Sequence, residues 1–181
     1  MSSMRDLSKY DHSLYRPGRN RFVITLWNVT SVLFFRNALF PFYGFKRALL
    51  RCFGAKVGKK VVIKPCVIIK YPWHLSIGDH SWIGEKVWIE NAGDITIGAN
   101  CCVSQGAMLL SGNHDFTKDA FDPFVKPIVL KDGVWVGTKA VVCPGVTMGE
   151  DSVLAVNSVL TKDTSPRSVW QGNPAEEKKI Y

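Results

Sequence analysis

The chain has 181 residues, 46% hydrophobic and 21% charged, with a formal net charge of +8. That length and balance exclude a disordered chain and fit one domain with a real core and room for an added segment. Five cysteines, an odd number with no CxxC pair and no metal-type Cys/His spacing, argue for free thiols in a reducing compartment.

The N-terminus, MSSMRDLSKYDHS, has no apolar signal core, so a cytoplasmic protein is expected. Its charge is unevenly placed. Residues 1–70 hold 14 Lys/Arg and 2 Asp/Glu, a net of +12; residues 71–181 hold 9 and 13, a net of −4. Such asymmetry marks contact with nucleic acid, anionic lipid or a phosphorylated ligand, or else a solubilising surface. No RNA or DNA motif accompanies it.

Residues 22–45, FVITLWNVTSVLFFRNALFPFYGF, form the most apolar segment. Arg21 and Arg36 bracket 14 uncharged residues, with Asn28, Thr30 and Ser31 among them. A spanning helix needs about 20 apolar residues, so this run is too short. One or two helices are expected, broken near Pro41 and Gly44, with KRALLRCFG helical to Gly54. Two placements stay open: an apolar face packed on the domain or a partner subunit, or a helix on a membrane surface, which Trp27, the Phe cluster and the flanking Arg/Lys suit.

From about residue 57 an aliphatic residue recurs every six positions: Val57, Ile63, Ile69; Ile77, Ile83, Ile89; Ile97, Val103, Leu109; and Val136, Val142, Met148, Leu154, Leu160. Two-residue slips precede Ile77 and Ile97. Neither a helix nor an alternating strand has this period; a step of six is the signature of a parallel β-helix. Each unit is a short strand and a turn, with one aliphatic side chain in the axis and a turn-tolerant residue after it. Three units close a coil of 18 residues, coils stack at about 4.8 Å, and about fourteen units make four to five coils.

SGNHDFTKDAFDPFVKP, residues 111–127, interrupts the repeat. Structureless loops above about 12–15 residues are functional or disordered. This one carries His114, three aspartates (Asp115, Asp119, Asp122) and three phenylalanines (Phe116, Phe121, Phe124). Aromatics suit a sugar face, and carboxylates suit hydroxyls.

On these repeats the chain resembles the hexapeptide-repeat acyltransferases, in the O-acetyltransferase branch of the maltose, galactoside and nodulation-factor enzymes. The basic, aromatic N-terminus with ITIGANCCVSQGAMLLSGNHD and GVWVGTKAVVCPGVTMGEDSVLAVNSVLTKD is most similar to colanic acid biosynthesis acetyltransferases. The resemblance covers most of the chain. It implies a mainly β fold: a left-handed parallel β-helix with an N-terminal helical segment (1–55), the helix proper (56–165) with a protruding loop (111–127), and a C-terminal tail (166–181). The handedness comes from the resemblance alone. It also implies a homotrimer, with the loop reaching toward the adjacent subunit.

The same resemblance implies acetyl-CoA as cosubstrate and His114 as general base, because a histidine follows an Ile-Gly unit by 17 residues, as Ile97 and His114 do here. Elementary chemistry agrees: an imidazole within about 3 Å of a hydroxyl can take its proton as the ester bond forms. The thioester is already activated, so direct transfer suffices, without a covalent intermediate or a metal. For acceptor contact the candidates are Asn91, Glu90, Asp115 and Trp88, with Trp82 also placed for stacking. The related sugar enzymes carry an asparagine where this chain has Gly84. On the CoA side the resemblance points to Gly137, Thr138, Val156, Asn157, Thr161 and Lys162. Lys178 and Lys179 stand in for the basic residue that relatives place straight after Gly-Asn-Pro-Ala, where this chain has Glu176 and Glu177.

The expected activity is O-acetylation of a sugar or lipid-linked oligosaccharide hydroxyl in exopolysaccharide assembly, with peripheral contact to an anionic inner membrane through the N-terminal segment. Two other readings use the same helix. A non-enzymatic scaffold would have no CoA affinity. A γ-type carbonic anhydrase needs three converging imidazoles on zinc; this chain has only His12, His74, His80 and His114, with Asp119 where a second loop histidine would be sought.

Overall fold

The computed structural model describes residues 6–11, 13 and 15–181. An N-terminal strap leads into α1 (Arg21–Thr30), a π-helical turn (Ser31–Phe35) and α2 (Tyr43–Cys52). The coils follow. The first is Lys56–Val57, Val62–Ile63 and Ile68–Ile69 (β1–β3); the second is Leu75–Ile77, Trp82–Ile83 and Trp88–Glu90 (β4–β6); the third is Ile95–Ile97, Cys102–Val103 and Met108–Leu110 (β7–β9). Gly112–His114 and Pro123–Val125 (β10, β11) form a hairpin. The fourth coil is Ile128–Leu130, Trp135–Val136 and Val141–Val142 (β12–β14), and the fifth is Thr147–Met148, Val153–Leu154 and Val159–Leu160 (β15–β17). Ser168–Gly172 (β18) and Ala175–Ile180 (β19) end the chain.

Strands of successive coils pair in parallel and in register, giving three sheets. Sheet A is β1-β4-β7-β12-β15, sheet C is β3-β6-β9-β14-β17, and sheet B runs β2-β5-β8-β13-β16-β18 with β19 antiparallel at its edge. The fold is mainly β, the parallel β-helix expected from the repeat. It has five complete coils and the start of a sixth, rather than four to five, because β18 stacks on β16 and Thr164 bridges Met148. The aliphatic at each sixth position points inward: Ile63, Ile83, Val103, Val136 and Leu154 stand in line under sheet B, all buried. Each such side chain stabilises the fold by about 1.5–3 kcal/mol. The coils approach closely at their corners. A Cβ on Gly78 would lie 2.5 Å from the Ala99 nitrogen of the next coil, so no larger residue fits there.

The first coil has no coil beneath it, and its outward carbonyls need donors. The helices supply them. Lys46 Nζ donates to Ile63 O (3.3 Å) and Lys64 O (3.2 Å). Arg47 donates to Val61 O (2.8 Å), and Arg51 to Val57 O (2.7 Å) and Gly58 O (2.9 Å). From α1, Trp27 Nε1 donates to Ile69 O (3.0 Å). Trp27, Phe35 and Leu50 are fully buried and plug the open end of the core. Part of the N-terminal basic excess is therefore a structural cap. The helices break between Phe35 and Tyr43, which includes Pro41 as expected, whereas Gly44 lies inside α2. At the other end Trp170 and Ala175 are buried, so the C-terminal segment closes the helix as a strand pair.

Candidate active site

The interruption at 111–127 is not structureless. β10 and β11 pair antiparallel, with His114 opposite Pro123, so the segment is a hairpin that leaves the corner between sheets C and A. His114 sits at the end of its first strand. The imidazole stacks on Phe121, with centroids 4.3 Å apart and rings 3° from parallel. Its Nδ1 lies 3.0 Å from the Phe121 carbonyl oxygen. That oxygen can only accept, so Nδ1 carries the proton and Nε2 keeps the lone pair.

His114 borders two cavities, one on each side of the hairpin. The first, about 430 Å³, lies along sheet C and is lined by Lys70, Trp88, Glu90, Met108 and Leu110 together with Tyr10 and Tyr15 of the strap. Glu90 is the polar centre of its floor. It forms an ion pair with Lys70 and accepts from Trp88 Nε1 at 3.0 Å. The Tyr10 ring is 5.8 Å from His114. Tyr15 donates to Ala92 O at 2.9 Å, and burial pushes its phenol pKa up. The strap is tied to the hairpin tip, where Asp6 N donates to Asp119 O at 3.0 Å.

The second cavity, about 340 Å³, is lined by Asn113, His114, Asp115, Phe116 and Lys118 among others. The expected acceptor set therefore divides. Trp88 and Glu90 join His114 in the first cavity; Asp115 lies on the other face of the hairpin. Its carboxylate caps the turn by accepting from Thr117 Oγ1 (2.6 Å) and Thr117 N (3.0 Å). The Thr117 hydroxyl, then its N–H, holds the Asp115 pKa below the usual carboxylate value.

Asn91 is a correction. It is fully buried, its Oδ1 accepts from Lys70 N (3.1 Å) and Tyr71 N (3.0 Å), and its Nδ2 donates to Tyr71 O. The corner after Ile69 is two residues longer than the ordinary turn, and its peptide groups need a side-chain partner. Asn91 fills that need from the next coil and lines neither His114 cavity. Trp82 stands half-exposed on sheet B, where it lines a separate cavity with Glu85, Ser104 and Gln105 and borders neither His114 cavity.

Tyr10, Tyr15 and Lys70 were not expected at the site. Lys70 was findable: it follows Ile69 as Glu90 follows Ile89, 20 residues later, and those two strands pair in register. The tyrosines reach the cavity only through the tertiary path of the strap.

The residues expected on the CoA side sit on coils four and five, beyond the hairpin. Gly137, Thr138, Val156 and Asn157 share the corner between sheets B and C, where Asn157 N donates to Thr138 O at 2.9 Å. Gly137 is fixed by packing, since a Cβ there would lie 2.7 Å from both Leu154 O and Val156 N. Asn157 adopts a left-handed φ of +61°, as Lys86 (+57°) and Lys139 (+56°) do at the same corner. Val156 is exposed. Thr161 and Lys162 lie at the opposite edge of sheet C, with Lys162 Nζ 5.4 Å from the Trp170 ring centroid. Lys178 and Lys179 are on β19, four strands beyond β8 in sheet B, roughly 19 Å along the axis at strand spacing. Lys178 also pairs with Glu176 at 3.6 Å. Within one protomer these two lysines do not join the His114 cavities.

No group of three or more His, Cys, Asp or Glu side chains able to hold a metal occurs among the described residues. His74 and His80 lie on different corners: His74 Nδ1 is 2.7 Å from Asp94, and His80 occupies a left-handed turn at φ +62°. His12 lies outside the described residues.

Comparison with known proteins gives the family. No family model matches the chain. WcaF of Escherichia coli K12, whose provisional name is colanic acid biosynthesis acetyltransferase, is 38% identical over 172 residues, covering 95% of this chain and 94% of that protein. This chain belongs to the hexapeptide-repeat acetyltransferases. The hexapeptide-repeat acetyltransferase from Vibrio cholerae, solved in complex with acetyl-CoA, superposes with a TM-score of 0.78 at 26% identity, over 88% of this acetyltransferase and 87% of that one. A maltose O-acetyltransferase from Clostridium difficile shares the fold, with a TM-score of 0.80 at 24% identity over 90% of each chain.

Proposed function

We propose that this acetyltransferase moves acetyl from acetyl-CoA to a sugar hydroxyl by direct transfer, with His114 as general base. The observation that carries the reading is the fixed tautomer of His114. The carbonyl of Phe121 holds the Nδ1 proton, so Nε2 accepts the hydroxyl proton. The alcohol oxygen then attacks the thioester carbonyl, the tetrahedral intermediate collapses, the C–S bond breaks, and the imidazolium returns the proton to the CoA thiolate. Trp88 offers a sugar a flat apolar face, and Glu90 offers its hydroxyls an acceptor.

The donor reading draws support from the acetyl-CoA complex of the Vibrio relative and from Thr138, Val156, Asn157, Thr161 and Lys162, which flank sheet C on the coils beyond His114. A homotrimer, with the cavity closed by a neighbouring subunit, is part of the proposal. So is a role in exopolysaccharide biosynthesis in the cytoplasm, supported by similarity to WcaF. The test is a screen of free, nucleotide-linked and lipid-linked sugars with acetyl-CoA, reading released CoA thiol. Acceptor-dependent release is expected; release with none of them, from protein shown to be folded, overturns the reading.

A further inference from the structure

The helical cap is apolar on both faces. Trp27, Phe35 and Leu50 face the core and are buried. On the opposite side Phe22, Leu26, Val29 and Leu33 follow one another at helical spacing and are exposed. The turn and the start of α2 continue the surface: Leu39 is 89% exposed and Phe42 is 62% exposed. Phe34, Phe40, Phe42 and Phe45 pack edge to face, and the last three line a groove of about 800 Å³ with Arg47. A contiguous apolar face of this kind marks an interaction surface.

Its occupant is indicated by charge. From Ser13 to Gly78 the sequence contains no Asp or Glu. Arg19, Arg21 and Arg36 are exposed around the face, and none forms an ion pair among the described residues. Lys56, Lys59 and Lys60 stand exposed on the adjoining first coil. A second copy meeting this face through the same surface would bring Arg against Arg, with no acid to pair. An anionic phospholipid surface satisfies both features: its headgroups take the cations, and its acyl boundary takes Phe22, Leu39 and Phe42. No helix of the described residues is long and apolar enough to cross a membrane.

The His114 cavity is next to this cap. Ile69 accepts the Trp27 indole N–H, and the following residue, Lys70, lines the cavity with Tyr15. We infer that the outer face of α1, the π-turn and the start of α2 docks on an anionic bilayer, and that this sets the cavity at the bilayer surface to take sugars carried on lipid. The acceptor half rests on the transferase reading above; the docking half does not.

The test uses the full chain and vesicles of phosphatidylglycerol or phosphatidylcholine. Wild type should sediment with the anionic vesicles only. Phe22→Ser with Leu39→Ser, and separately Arg21→Glu with Arg36→Glu, should lower that partitioning about tenfold or more. Both variants should keep the wild-type rate on a soluble acceptor and lose rate on the same sugar presented on a lipid in vesicles. Equal binding to both vesicle types, or to neither, overturns docking. A changed oligomeric state in the Phe22/Leu39 variant with vesicle binding intact assigns the face to contacts between copies and overturns it as well. Equal loss on soluble and lipid-borne acceptor overturns the acceptor half. Absence of CoA release from any acceptor, with vesicle binding intact, overturns the transferase reading and leaves docking supported.

Discussion

His114 and Phe121 hold each other in two ways: the rings stack 4.3 Å apart, and the backbone oxygen of Phe121 lies 3.0 Å from the His114 Nδ1. Phe121 does this from a left-handed backbone (φ +54°), a conformation that costs a residue with a side chain about 1 kcal/mol or more. The hairpin pairing between Gly112–His114 and Pro123–Val125 offsets that cost. The turn is thereby a device that fixes one imidazole tautomer.

If Nε2 is the base, His114→Ala should lower kcat about 10²–10⁴-fold while the KM for acetyl-CoA changes little. Steady-state CoA release at saturating acceptor measures this. Near-wild-type turnover in the alanine variant would sink the mechanism.

Trp88→Ala should raise acceptor KM about tenfold, by removing a stacking face worth roughly 1 kcal/mol or more, and leave the acetyl-CoA KM unchanged. Glu90→Gln should act on the same parameter, since the change removes the negative charge of a group whose two oxygens meet Lys70 and the Trp88 indole. An effect on the acetyl-CoA KM alone would move both residues out of the acceptor site.

Asn91→Ala should act on stability. The Tyr71 backbone N–H loses its acceptor inside the protein, at about 1–3 kcal/mol, while the Lys70 N–H keeps Ile89 O at 3.1 Å. Chemical denaturation should show a lower midpoint with an unchanged slope. A stable variant with an altered acceptor KM would restore Asn91 to the site.

Lys46 gives a pH-dependent prediction. Burial pushes its pKa below the ordinary lysine value, against a smaller opposing pull from Cys66. In the unfolded chain Lys46 binds its proton up to its ordinary pKa of about 10.4; in the folded chain it releases it earlier. The unfolded state therefore holds more protons between the two values, and this group's contribution to stability rises with pH across that alkaline window. Lys46→Met should remove that rise. It should also lower stability by about 2–4 kcal/mol at neutral pH, by leaving Ile63 O and Lys64 O without a donor. Denaturation at neutral and alkaline pH tests both; an identical pH slope in the two proteins would count against it.

The repeat was legible because it is a local rule. One aliphatic per six residues determines the strand, the inward face and the stacking, and so the β-helix and the point at which segment 111–127 leaves it; that this segment is a hairpin with His114 at the end of its first strand was not in the repeat. The column Lys70–Glu90 could be read from the 20-residue step of the second coil for the same reason.

Other features depended on contacts between residues far apart in the chain. Asn91 has the residue type of a sugar ligand, and only the longer corner at Lys70 and Tyr71 shows that its amide is needed inside. Asp115 and Glu90 are both acids near His114 in the sequence pattern, yet the hairpin puts them on opposite sides. The basic charges of α2 read as a surface until the open edge of the first coil claimed Lys46, Arg47 and Arg51. Sequence alone determined what repeats, because periodic burial is set residue by residue. Tertiary structure decided what each exception does, because an unpaired carbonyl, a closed cavity or a fixed tautomer exists only once distant segments meet.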